Sequence, residues 1–229
     1  MSSRRVASAA GSDVSHIPHL LIPGPWDDAA LEPGHDASHH LTRVLRRRDG
    51  DPISYTDGRG RLGTGRLERG AVVRGNEVSI PRPAMPVLAV APPTHKDRTR
   101  FLIEKLAELG VQELRWLRTR FGEGRVPAAD KVEAWCRSAV EQSRSAWMMV
   151  VRHDLVDVGD LPEGTVFADR SGRECGALAG VPCVAVGPEG GWAVGEFPVG
   201  AHTLAFASGV LRVETAAIAA AVLANRIVG

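Results

Sequence analysis

The chain has 229 residues, 44% of them hydrophobic and 24% charged, a composition that suits a folded globular protein and excludes a disordered or collagen-like one. Twenty-eight Lys and Arg stand against 27 Asp and Glu, a formal charge of +1, so the whole-chain balance announces no polyanionic partner and any basic surface must be local. No apolar run approaches the ~20 residues needed to cross a bilayer, and the length accommodates one large domain or two modest ones, with two as the expectation.

Met1 to about Val14 reads as a frayed polar end: Arg4 and Arg5 precede small residues, but Ser12 and Asp13 interrupt them and no signal-peptide core follows. Residues 17–81 read as a small β-rich domain, with strand-like runs Pro52–Thr56, Leu62–Leu67 and Ala71–Ile80 separated by turn signals at Asp57-Gly58, Gly60 and Gly70. The spacing of Leu41, Val44 and Leu45 predicts a helix over Ala37–Arg48, with Arg43, Arg46, Arg47 and Arg48 around its other faces. From His39 to Arg74 nine arginines stand against four carboxylates, an excess of five positive charges. Charge alone favours a solvated helix face here by a small margin; the functional reading is a patch suited to phosphates. His39 and His40 lack further ligands at metal spacing, so no metal is expected.

Pro81, Pro83 and Pro86 form a stiff connection and mark the boundary to a second domain, 86–229. Its predicted elements alternate: strand Val87–Ala91, helix Asp97–Leu109 stopped by Gly110, strand Leu114–Arg118, helix Ala129–Trp147, strands Gly164–Asp169, Val181–Gly187 and His202–Phe206, and an Ala-rich helix Thr215–Ile227. That order implies an α/β domain with a mostly parallel sheet flanked by helices. Cys136, Cys175 and Cys183 are odd in number and contain no C-x-x-C pair, so they read as packing residues in a reduced cytosol.

Two loops have the composition of ligand loops. Val186 runs into Gly187-Pro188-Glu189-Gly190-Gly191-Trp192, where small residues let the backbone approach a ligand, at the carboxyl end of a strand. No Gly-Lys-Ser/Thr and no G-x-G-x-x-G is present, and spacing alone leaves a plain tight turn equally open. The second loop is Phe206-Ala207-Ser208-Gly209-Val210-Leu211-Arg212-Val213-Glu214-Thr215, with Thr215 a candidate N-cap. Alone, it reads more simply as a capped helix with a local Arg212–Glu214 ion pair. Of the tryptophans, Trp192, beside the glycines, is expected nearest the site.

Together with Asp97-Arg98, the helix ending Glu108-Leu109-Gly110-Val111 and the Gln142-Ser143 pair of Arg137–Ser143, the Gly187–Gly191 and Leu211–Ala216 loops resemble the RsmE family of the SPOUT superfamily. His39-His40-Leu41-x-Arg43-Val44-Leu45-Arg46, Gly50-Asp51 and Asp57-Gly58-x-Gly60 are similar to that family's PUA-like RNA-binding barrel. The resemblance covers nearly the whole chain. It implies a PUA-like β-barrel followed by a trefoil-knotted SPOUT sheet, a cytoplasmic homodimer, and methylation of uridine N3 in 16S ribosomal RNA, bare or within the assembled small subunit, with S-adenosyl-L-methionine as cofactor. It places Gly187, Pro188, Glu189, Gly190 and Gly191 on one wall of the cofactor pocket, and Leu204, Ala207, Ser208, Val210, Leu211 and Thr215 around the adenine and methionine parts. Arg212 and Glu214 become the catalytic candidates, the first for stabilising an anion and the second as base or orienting group. His40, Arg43, Arg46, Arg59 and Arg144 become RNA-binding candidates. The chain departs from the family's pattern at His95, Ser145, Met149 and Phe206–Gly209. Two alternatives remain at this stage: a non-catalytic RNA-binding or ribosome-assembly factor of the same fold, and a SPOUT methyltransferase acting on another RNA site.

Overall fold

The computed structural model describes residues 17–225 apart from 40, 42, 44, 175–177 and 179; the polar end Met1–Val14, His40 and Cys175 lie outside the described residues. The chain divides into two compact units. The first runs to Arg82 and takes in Arg144–Trp147, and the second comprises Pro83–Ser143 and the chain from Met148.

The first unit contains β1 (His19–Leu21), β2 (Ala30–Leu31), α1 (His35–His39), β3 (Pro52–Thr56), β4 (Arg61–Glu68) and β5 (Ala71–Ser79), with sheet order β1-β3-β4-β5-β2. β1 runs parallel to β3 and the other pairings are antiparallel. Arg69 and Gly70 form the β4–β5 turn with φ of 52° and 86°, the left-handed backbone a two-residue hairpin demands. The side chain of Asp49 holds it, its Oδ1 accepting from the Arg69 N–H at 2.9 Å. Leu20, Ile22, Trp26, Leu31, Leu41, Ile53, Tyr55, Leu67 and Val72 form the core. Trp26 meets Tyr55 edge-on at 5.0 Å, and the Tyr55 ring lies on Gly63, where a Cβ would come within 2.2 Å of it. The Tyr55 hydroxyl donates to Glu77 at 3.0 Å. Glu77 also accepts from Arg74 at 2.7 and 2.9 Å and from Arg61 at 3.0 Å. The Arg74 hydrogen bond, more than any other contact, holds its carboxyl down at about 2. Two arginines of the basic excess therefore serve the fold.

The predicted helix over Ala37–Arg48 is shorter than its periodicity suggests. α1 is His35–His39, the chain is still helical, in π form, at Leu41 and Arg43, the Arg47 N–H reaches back to the Leu41 carbonyl at 2.9 Å, and Arg46 has left the helical region with φ 52°. The following residues are held by the sheet: Asp51 Oδ2 accepts from the Arg48 N–H at 2.9 Å, and Gly50 and Asp51 exchange backbone hydrogen bonds with Leu67. Of the predicted apolar face, Leu41 is buried while Leu45 is 41% exposed.

In the second unit the elements are β6 (Val87–Val90), α2 (Lys96–Glu108), β7 (Glu113–Arg118), α3 (Ala129–Ser143), β8 (Val150–Asp157), a 3-10 turn at Val158–Asp160, β9 (Val166–Glu174), β10 (Cys183–Val186), β11 (His202–Ala205) and α4 (Val213–Asn225). The sheet order is β11-β9-β10-β6-β7-β8 and every pairing is parallel. Side chains alternate across the central strands. Leu88, Val90, Val184 and Val186 face a core shared with α2, α3 and α4. Ala89, Cys183 and Ala185 face the other way, where Leu117, Phe167, Val158, Trp192 and Phe197 pack.

Two elements differ from the sequence expectation. α3 ends at Ser143 and not at Trp147, because Arg144 takes φ 57° and the next residues bond into the first unit: Gly60 N–H to the Ala146 carbonyl at 2.9 Å, and Trp147 Nε1 to the Ile80 carbonyl at 3.0 Å. β8 is an additional strand. It lies at the sheet edge with most residues exposed, so its Val-Val-Arg-His-Asp-Leu-Val-Asp sequence lacks the apolar run of a central strand.

Candidate active site

In an all-parallel sheet the strand carboxyl ends lie on one side, and ligands bind in the crevice there. The loops after β10 and β11, together with residues 168–171 of β9, enclose a cavity of about 540 Å³, a volume in the range of cofactor sites.

The first wall is the glycine loop. The Gly191 N–H bonds to the Pro188 carbonyl at 2.9 Å and Gly191 takes φ 73°, closing the turn. Gly187 lies under the Trp192 indole, and a Cβ there would come within 2.8 Å of Trp192 Cε2. Trp192 is itself fixed: Nε1 donates to the Ala168 carbonyl at 2.9 Å, and the ring meets Phe167 and Phe197 edge-on at 5.5 and 5.7 Å. Gly190 backs onto Phe121, whose Cβ would lie 3.0 Å from an added Cβ. Glu189 lines the cavity, but its Oε1 accepts from the Thr94 N–H and Oγ1 at 3.1 and 3.2 Å. The carboxylate thereby ties the glycine loop to the chain entering α2.

The facing wall comprises Leu204 and Ala205 of β11, then Phe206, Ala207, Gly209, Val210 and Leu211, and Val213 and Ala216 of α4. β9 adds Ala168, Asp169, Arg170 and Ser171. Asp169 Oδ1 accepts from Ser171 N–H and Oγ at 2.7 and 2.5 Å. Sequence reasoning missed this third wall, whose signal is Asp169-Arg170-Ser171-Gly172 following an apolar run.

Of the residues expected around a cofactor, Gly187, Pro188, Glu189, Gly190, Gly191, Leu204, Ala207, Val210 and Leu211 line this one cavity; Ser208 and Thr215 do not. Thr215 is not the N-cap. The Ala216 N–H bonds to the Arg212 carbonyl at 2.9 Å, so the helix opens at Val213 with Arg212 in the capping position, and Thr215 lies exposed in the first turn.

The catalytic candidates part company. Arg212 is exposed at the rim, between the cavity-lining Leu211 and Val213. Glu214 is 7% exposed and turned toward α2, where Arg98 Nε lies 3.8 Å from its Oε1, while Oε2 has no hydrogen-bond partner. The local Arg212–Glu214 pair is thus replaced by a pair across two packed helices, because positions 213 and 216 of the first turn already face the cavity.

Among the RNA candidates, Arg43, Arg46 and Arg59 are exposed and His40 lies outside the described residues. Arg144 is half-buried and hydrogen-bonded within its own unit. It donates to Ser54 Oγ at 3.2 Å and to the Ile17 carbonyl, beside buried His19, whose Nδ1 is 2.6 Å from the same Ser54 Oγ. Burial and then the Arg144 charge lower the His19 pKa to about 4. Cys136 and Cys183 are free and buried, and burial pushes their thiols up to about 12 and about 11. Among the described residues no group of three or more His, Cys, Asp or Glu could hold a metal.

A parallel sheet with glycine-walled loops at its carboxyl edge defines a small-molecule-binding α/β domain. Residues 81–225 match the family described as RNA methyltransferase domain, and the chain belongs to that family. Similar solved structures include a probable rRNA-methyltransferase from Porphyromonas gingivalis, 25% identical over 93% of this chain and 98% of that one, with TM-score 0.76. A predicted RNA methyltransferase from Thermotoga maritima is 26% identical over 92% and 98%, with TM-score 0.71. The ribosomal RNA small subunit methyltransferase E from Neisseria gonorrhoeae, bound to S-adenosyl methionine, shares the fold at 24% identity over 93% and 98%, with TM-score 0.75. Comparison with curated proteins gave no match.

Proposed function

We propose that this methyltransferase-family chain methylates N3 of a uridine in 16S ribosomal RNA, using S-adenosylmethionine. The observation that carries the reading is the cavity at the carboxyl edge of the sheet, with two small-residue walls and Arg212 at its rim. The lining suits such a cofactor: Leu204, Val210, Leu211 and Ala216 offer apolar surface for an adenine, the glycine loop offers backbone groups, and Asp169 and Arg170 offer charges opposite to an amino acid's ammonium and carboxylate. The bound cofactor supplies an electrophilic methyl group.

Uridine N3 carries a proton and is a poor nucleophile, so the protein must favour its anion and hold it in line with the methyl group. In this reading Arg212 stabilises the anion, a role supported by its exposed position between the cavity-lining Leu211 and Val213. Glu214, buried against Arg98, serves as a positioning residue that fixes the first turn of α4 beneath Arg212.

The same reading takes the first unit as a PUA-like RNA-binding barrel, supported by its five-stranded mixed sheet and by exposed Arg43, Arg46 and Arg59. It takes the second as trefoil-knotted. In support, β11 is the outer neighbour of β9, yet α4, which follows β11, packs on β6 and β10 beyond it. A homodimer fits fully exposed Val194 and Val199, and a ribosomal substrate fits action in the cytoplasm.

Titration calorimetry with S-adenosylmethionine, followed by mass mapping of small-subunit RNA from a deletion strain before and after adding the protein, tests the proposal. Stoichiometric binding and appearance of N3-methyluridine are expected. A methyl group on another nucleotide would reassign the target, and absence of binding at millimolar cofactor would leave a non-catalytic RNA-binding factor.

A further inference from the structure

A second cleft, of about 330 Å³, opens in the same unit beside the methylation cavity. Its walls come from the entry to α2 (Pro93, Thr94, Lys96, Thr99), the loop before α3 (Glu123, Arg125, Val126, Pro127, Ala128) and the first half of α3 (Lys131, Trp135). Thr94 belongs to this cleft and Glu189 to the methylation cavity, and the hydrogen bonds between them make one partition shared by both. Phe121, just before the α3 loop, lies against Gly190 of the glycine loop.

The charges of the cleft are one-sided. Lys96, Arg125 and Lys131 are exposed, and none forms an ion pair with a carboxylate among the described residues. Many other basic side chains of this unit are matched: Arg100 with Glu104, Lys105 with Glu108, Arg115 and Arg152 with Glu113, Arg118 with Asp157. Glu123 is the one carboxylate in the lining; Asp97 and Asp130, in the first turns of the two helices, do not line it. The cleft also receives the amino end of α2, where His95 supplies no side-chain cap, so the helix dipole adds to the positive potential. Trp135 is half-buried and gives the concavity an aromatic side. Unpaired cations beside an aromatic surface are the chemistry that binds a phosphodiester and its base.

We infer that this cleft docks a phosphodiester of the RNA strand next to the nucleotide being methylated, with Lys96, Arg125 and Lys131 as its phosphate ligands. The inference rests on the proposed RNA substrate and adds where the second unit grips the strand. Because Thr94 of this cleft bonds directly to Glu189 of the methylation cavity, a phosphate held here positions the adjoining nucleotide at that cavity and not at the far side of the sheet.

The test is RNA affinity as a function of salt, with a short single-stranded small-subunit RNA. Each single-strand phosphate contact contributes roughly 0.7 to the slope of log affinity against log salt. The variant Lys96→Ala/Arg125→Ala/Lys131→Ala is therefore expected to lower that slope by about 2 and the affinity by about 50-fold near 0.15 M salt, taking the contacts to vanish at 1 M. A charge-matched control, Arg100→Ala/Arg118→Ala/Arg152→Ala, removes three paired cations and should leave the slope nearly unchanged. Circular dichroism and cofactor binding by calorimetry establish that both variants are folded. An unchanged slope in the cleft variant, or an equal drop in the control, overturns the assignment. So does binding of uridine monophosphate or inorganic phosphate that the cleft variant abolishes while RNA affinity stays the same, since the cleft would then take a free phosphate. RNA binding through the cleft without production of N3-methyluridine would count against the proposed reaction and leave the docking site standing.

Discussion

Gly187→Ala adds a single methyl group at the point where the glycine loop meets its own tryptophan. The new Cβ would lie 2.8, 3.1 and 3.2 Å from Cε2, Cδ2 and Cζ2 of Trp192, so the rigid indole has to move. That ring cannot shift without loosening the Nε1–Ala168 hydrogen bond and its packing on Phe167 and Phe197. Overpacking of this kind costs roughly 1–3 kcal/mol, and a weakened hydrogen bond about 1 kcal/mol more. With roughly 2–4 °C per kcal/mol for a chain of this size, the transition of the second unit should fall by about 4–16 °C in calorimetry. Cofactor affinity should fall with it, because Trp192 lines the cavity. Gly187→Ala combined with Trp192→Phe is the informative partner: the smaller ring leaves room for the methyl, so the double variant should be more stable than the sum of the two single losses predicts. Additive losses, or a Gly187→Ala protein with an unchanged transition, would refute this account of why position 187 is glycine.

Other outcomes follow from the same geometry. Arg212→Ala should reduce turnover by about 10²–10³, as loss of a preorganised charge does elsewhere, while cofactor affinity measured by calorimetry stays within about twofold. His19 holds a proton in the unfolded chain below its usual 6.5 but in the folded one only below about 4. The first unit should thus keep its full stability above pH 6.5 and lose about 3 kcal/mol as pH falls to 4, with the slope removed in His19→Gln, as followed by urea denaturation. Glu77→Ala leaves Tyr55, Arg61 and Arg74 without their shared acceptor and should cost the first unit about 2–4 kcal/mol. Cys136 and Cys183 should resist alkylation at pH 8 in the folded protein and react once it is unfolded in urea, as read by peptide mass mapping, because burial keeps both thiols protonated.

Sequence periodicity revealed what burial dictates and missed what distant contacts decide. Val87–Val90 and Cys183–Val186 are legible because a central parallel strand, covered on both faces, must be apolar throughout. β8 pairs on one edge only and carries Arg152, His153 and Asp154 in its middle, so no such pattern marks it. The helical periodicity of α3 runs on toward Trp147, but hydrogen bonds from Gly60 and to Ile80 redirect the chain after Ser143. Thr215 has the side chain of an N-cap, yet α4 opens two residues earlier, at Val213.

The site divides along the same line. Its two glycine- and alanine-rich walls are each contiguous in sequence and could be read there; the third, Ala168–Ser171, joins them because β9 lies between β10 and β11, an order the sequence does not state. Glu214 looks paired with its neighbour Arg212, whereas its partner is Arg98, far earlier in the chain. Charge misleads in a related way. The arginines of the first unit form a visible excess, but Arg61 and Arg74 are engaged by Glu77. Lys96, Arg125 and Lys131 form no run in a chain of net charge +1, and their concentration on one cleft appears only when two helices and a loop converge. A balance of charges over the whole chain therefore says little about an RNA partner, because recognition depends on the few cations that folding leaves unpaired and gathers at one place.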